Sequence, residues 1–216
     1  MTSVVPEIKS VLEALSARVA QWNDKSSLGE PTTAPSLGYL YMTTPATPQP
    51  EFWLRGPVPA VPPLLQPVAH ALLQARQEVE TALQDFPDLL LAARPAGVAS
   101  VGFHLRHLAG VLNRMQTYAC YQPLSAAQLA YLAAENDVPT TPGSSIALMA
   151  HFYATVGAFL EYLSTVPEAT LPEFRPVGRA GLPSTVVGLL VHAAEHTTRH
   201  VGQLLVTARV VQAGLI

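Results

Sequence analysis

Three histidines near the C-terminus carry the clearest chemical content of this chain: His192, His196 and His200, in VHAAEHTTRHVGQLL. They recur every fourth residue, so on a helix successive members are neighbours on one face. Two neutral imidazoles one turn apart can share a single divalent cation, with metal–nitrogen bonds of about 2.0–2.1 Å. A third ligand must then come from another helix, and FHLRHLAG offers His104 or His107. These two stand three apart, on one side of a helix but about 60° from each other. Their spacing leaves open which one points at the site.

The pair His196 and His200 has two readings. On the interior stripe, near Gln203 and Leu204, two imidazoles without a shared partner are costly to bury, and a metal removes that cost. On the outer face they are solvated helix histidines. The remaining histidines, His70 and His151, read as ordinary hydrogen-bonded residues. An inverted zinc-protease pattern is formally present as His192-Ala193-Ala194-Glu195-His196, with Glu195 as general base. No Asp or Glu follows it to serve as a third ligand. Glu195 has a simpler use, an ion pair with Arg199 one turn on. The chain has no G-x-S-x-G, no phosphate loop and no dinucleotide fingerprint, and Cys120 has no evident partner.

The elements that must position these residues are helices. A first core helix is expected over about 62–85, opening on prolines that suit a first turn. A second runs over about 99–120, with Ser100 as N-cap. A short helix over about 125–135 has the Ser125/Gln128 capping-box pattern. A third long helix covers about 144–165, and a fourth about 184–211, capped by Ser184 or Thr185. No segment shows strand alternation, so the fold class is all-α, a four-helix bundle. Eleven of the 20 prolines lie in the first 67 residues. Residues 1–50 are therefore expected to form an N-terminal extension, a short helix within 7–22 followed by a partly irregular Pro-rich segment. Residues 51–216 form the bundle domain.

Composition narrows the function classes. The chain has 216 residues, 49% hydrophobic and 12% charged, with a net charge of −3. It has no basic run, so nucleic-acid binding is not expected. A single cysteine excludes an intrachain disulfide and fits a reduced, cytoplasmic location. The N-terminus has charges where a secretory signal has its apolar core. The best span candidate, Ile146 to Leu160, contains His151 and falls short of the roughly 18–20 apolar residues a membrane crossing needs.

FHLRHLAGVLNRMQTYA and VHAAEHTTRHVGQLLVTARVV, supported by PLSAAQLAYLAAE and RPVGRAGLPST, resemble the DinB/YfiT-like superfamily of bacterial metal-binding four-helix bundles. The resemblance covers about residues 51–211. It implies a divalent metal, with zinc or nickel the ions to be expected, held by one histidine of the second helix in a His-Leu-Ala context and two from an H-x-x-x-H on the last. In this chain those are His107, His196 and His200. Val201 departs from the family, where Arg often follows the last histidine. The resemblance further implies a metal-dependent hydrolase or a low-molecular-weight thiol S-transferase, a small-molecule substrate, a stress-response setting and a homodimer. Two other readings stand beside it: a non-catalytic bundle clipped by its ion, and a helical interaction module without metal.

Overall fold

A computed structural model describes residues 49–214. The expected N-terminal helix, and all of the extension up to residue 48, lie outside the described residues. Among the described residues there are five α-helices: α1 (Gln66–Ala82), α2 (Val101–Ala119), the short α3 (Ala126–Ala133), α4 (Ser144–Thr165) and α5 (Val186–Gln212). The fold is the all-α bundle that the sequence predicts. Boundaries shift by at most four residues, and those of α4 fall where expected. At the start of α1 the Pro62–Pro63 pair forms a 3₁₀ turn, Pro63–Leu65, before the α-helix begins.

The helix starts follow local capping chemistry. Ser100 accepts from the Phe103 N–H at 3.2 Å. Ser125 and Gln128 make the reciprocal capping box. Thr185 accepts from the Gly188 N–H at 3.0 Å, so Thr185 rather than Ser184 caps α5. The start of α4 has no cap of its own. Asp88, 55 residues earlier, accepts from the N–H groups of Gly143 at 2.8 Å and Ser145 at 2.7 Å. A tertiary contact there supplies the acceptor that local sequence lacks.

α1 and α2 each pack on both α4 and α5, giving the ring order α1–α4–α2–α5. The core is mostly aliphatic: Leu72, Leu105, Leu108, Leu112, Leu190 and Leu204 are fully buried, as are Phe152 and Phe159. α4 is long and apolar enough by composition to cross a membrane, with a mean hydropathy of 1.4 over its best window. It nevertheless turns Leu148, Phe152, Val156, Phe159 and Leu163 into the bundle core.

One feature departs from the sequence reading. A two-stranded antiparallel hairpin, β1 (Phe174–Val177) and β2 (Leu182–Thr185), precedes α5. It lies within RPVGRAGLPST, where no strand is expected. Its alternation is masked because Pro176 pairs opposite Pro183. A two-stranded ribbon is all edge, and edges tolerate proline. Gly178 and Gly181, with φ of 68° and 61°, provide the left-handed positions the tight connection needs. The hairpin ends on Thr185, so its last residue is also the cap that launches α5.

The load on the core is testable at Phe152, which is fully buried. Phe152→Ala is expected to cost about 3–5 kcal/mol in urea unfolding followed by circular dichroism. A loss below 1 kcal/mol would show that α4 does not pack as described.

Candidate metal centre

α2 supplies His104 and His107, and α5 supplies His196 and His200. His107 meets His196 while His104 meets His200. Rising numbers on α2 meet falling numbers on α5, so the two helices run antiparallel where they touch. The buried stripe of α5 is Leu190, Ala193, Ala194, Thr197, Val201 and Leu204. His196 and His200 flank it, half-buried, and Gln203 is exposed. The site therefore lies at the edge of the bundle and not on its interior stripe.

One nitrogen from each of His107, His196 and His200 lies within 4.8 Å of the others. The ring centroids of His196 and His200 are 4.4 Å apart, and those of His107 and His200 are 4.5 Å apart. His107 Nε2 and His196 Nε2 are separated by 2.9 Å. Two nitrogens bound to one ion at about 2.0–2.1 Å, with bond angles of about 90–110°, lie roughly 2.9–3.4 Å apart. The His107–His196 pair therefore already has the spacing that two ligands of one divalent cation need, and His200 stands beside them.

The proton positions point the same way. His107 Nδ1 lies 2.7 Å from Glu135 Oε2, so Nδ1 donates and Nε2 is left as a lone pair. His200 Nδ1 lies 3.0 Å from His104 Nδ1. If His200 donates there, its Nε2 is also free to ligate. His196 Nδ1 is buried and has no partner among the described residues. A proton shared between His107 and His196 would satisfy one contact, whereas a cation satisfies three nitrogens at once.

Burial drives the electrostatics. Desolvation, followed by the neighbouring rings of His200 and His107, lowers His104 and His196 each to about 4. His200 is lowered too, by burial first and then by His107 and the Arg199 charge. All three are neutral at pH 7, the form a metal requires. Burial alone would raise Glu135, but hydrogen bonds from His107 and Arg114 outweigh it and hold this carboxyl below its usual range.

The other expected residues fall into place around this cluster. His104 is buried, 2% exposed, and supports His200 from behind rather than joining the three. His192 points outward with a half-exposed side chain. Glu195 faces solvent and pairs with Arg199. The inverted protease pattern therefore does not assemble, and Glu195 is not placed to act as a base. His70 bonds the Gly56 carbonyl at 3.0 Å, and His151 is exposed beside Tyr131. Sequence reasoning missed Glu135, which stands 28 residues after His107 with no local periodicity to mark it. The usable signal was indirect: two glycines eight apart in α2, Gly102 and Gly110, mark a face where another segment comes close.

Depressed histidine pKa values carry a stability consequence. The unfolded chain protonates near 6.5, whereas the fold resists protonation down to about 4. Stability is therefore intact above about pH 6.5 and falls as the pH drops from there to about 4. The melting temperature of metal-free protein is expected to follow that course, with a shallower fall in His104→Leu. Identical slopes in both proteins would remove His104 as a source.

Comparison with known proteins adds the family. No curated protein matches the chain. The sequence model of the DinB superfamily matches residues 71–204, more than half of the chain and the stretch that contains all three clustered histidines. The histidines on the antiparallel α2–α5 contact thus stand inside the matched region, and the chain belongs to the DinB superfamily.

Proposed function

We propose that this protein is a metal-dependent enzyme in which His107, His196 and His200 hold one divalent cation. The observation that carries the reading is the convergence of three ring nitrogens, two of them 2.9 Å apart, from two antiparallel helices. When bound, the ion would act as a Lewis acid, lowering the pKa of water or of a low-molecular-weight thiol. Imidazole ligands suit zinc, nickel, copper and iron alike.

The chain's own residues prepare the site for this work. Glu135 and His104 orient two of the three rings, and Phe103 stacks on His107 with centroids 5.3 Å apart and planes at 12°. His192 does not join the cluster, so three histidines leave a coordination position for a substrate atom, the pattern of catalytic sites. This favours an enzyme over a bundle merely clipped by its ion. A groove of about 580 Å³ lies against His104, walled by Val98, Ala99 and Val206, with Arg199 and Gln203 as polar contacts. Its size and mixed lining suit a small amphipathic molecule. The reading is therefore a hydrolase or thiol S-transferase acting on a small substrate.

The exposed side of α4 supports the expectation of a homodimer. Ile146 there is 69% exposed on a helix whose best window has a mean hydropathy of 1.4. We assign that side to a second copy of the chain. Light scattering after gel filtration is expected to give twice the chain mass, and Ile146→Lys to shift it toward the monomer. A wild-type monomer at micromolar concentration would overturn the assignment.

Metal content of untagged protein by mass spectrometry tests the main reading. About one ion per chain is expected, with less than a tenth of that in a His196→Ala/His200→Ala variant. Hydrolysis and thiol-transfer assays on the loaded protein then separate the two reaction classes. No metal after dialysis against zinc and nickel would leave a helical module without metal.

A further inference from the structure

The segment after α3 is clamped to one face of α2. Arg106 donates to the Ala134 carbonyl at 2.9 Å, and Tyr131 Oη donates to the Arg106 carbonyl at 3.0 Å. Val138 lies over Gly102, and a Cβ at Gly102 would collide with its side chain. Glu135 lies over Gly110, where a Cβ would collide with Glu135 Oε1, stand 2.6 Å from Arg114 Nη1 and 3.0 Å from the Tyr131 ring. Glycine is the least favoured helix residue after proline. Its presence in the middle of α2 is explained by this close approach.

Both oxygens of Glu135 are committed. Oε1 accepts from Arg114 Nη1 at 2.7 Å, and Oε2 faces His107 Nδ1 at 2.7 Å. Glu135 is 3% exposed and Arg114 is 7% exposed. A carboxylate this deeply buried needs full pairing, and it has that here through one cation and one ring N–H. Glu135 is accordingly no ligand and no free base. Its backbone is fixed by the clamp and its side chain by Arg114, so the ring it touches is fixed as well.

Resting on the metal reading above, we propose that Glu135, anchored by Arg114 and seated over Gly110, is the positioning residue that makes His107 Nε2 the metal-facing atom. The proton held on Nδ1 decides which nitrogen carries the lone pair, and the carboxylate raises the basicity of that nitrogen. Gly110 belongs to the device because any side chain there displaces the carboxylate. In sequence terms, His107, Gly110 and Arg114 on one helix act with a glutamate delivered by the next.

The test compares zinc affinity, by competition with a chromophoric chelator, in wild type, Glu135→Ala, Glu135→Gln, Gly110→Ala and Gly157→Ala. Gly157 is a helix glycine in α4 with open space around its Cα, so Gly157→Ala is expected to bind as wild type. Glu135→Ala and Gly110→Ala are expected to lose about tenfold or more. Glu135→Gln, which keeps the shape and an acceptor oxygen, is expected to fall between. Long-range ¹H–¹⁵N spectra of the metal-free wild type are expected to show His107 protonated on Nδ1, and a mixture of tautomers in Glu135→Ala. Affinities of folded Glu135→Ala and Glu135→Gln within twofold of wild type would overturn the proposal, as would a wild-type His107 protonated on Nε2. Wild type that takes up no zinc would overturn the metal reading instead, and the tautomer spectrum would still decide the role of Glu135.

Discussion

Two imidazole nitrogens lie 2.9 Å apart across the contact of α2 with α5, and a third ring stands beside them. Neutral rings so placed either share protons or share a cation, because facing lone pairs repel. Much of the local structure serves this arrangement. The helices must run antiparallel where they touch, so that His107 meets His196 while His104 meets His200. The rings must also stay neutral, and burial ensures it by holding His104 and His196 near a pKa of 4. A site built in this way is poised for a cation at neutral pH and loses its footing in acid.

The support for the cluster comes from outside the four long helices. α3 has eight residues, too few for a stable helix in isolation, and owes its position to a capping box and to hydrogen bonds onto α2. Its reward is functional: the residue two beyond its end is Glu135. The hairpin before α5 plays a comparable role at the other partner helix. It delivers Thr185 as a cap, which sets where α5 starts. The buried stripe of α5 faces the core, and that orientation leaves His196 and His200 beside α2.

The outer histidines show how narrow that placement is. His192 shares the four-residue rhythm of His196 and His200, yet its side chain is half-exposed and lies beside Glu195. Glu195 sits between ligand positions and is drawn away by Arg199. A pattern that matches a protease motif letter by letter therefore comes apart in space, since a motif specifies spacing along one helix and says nothing of what faces it.

The amino-acid sequence by itself determined the helical class, the approximate limits of four long helices, two of the caps and the histidine rhythm on the last helix. These are local properties, set by apolar periodicity and side-chain hydrogen bonding within a few residues. Resemblance, rather than spacing, favoured His107 over His104. Only the tertiary structure decided what depends on distant residues meeting: the Asp88 cap on α4, the proline-masked hairpin, the place of the histidines at the edge of the bundle, and the pairing of Glu135 with His107 and Arg114. Such contacts leave no periodic trace, because a carboxylate 28 residues away reaches an imidazole through the packing of one helix on another, and that packing is a property of the whole fold.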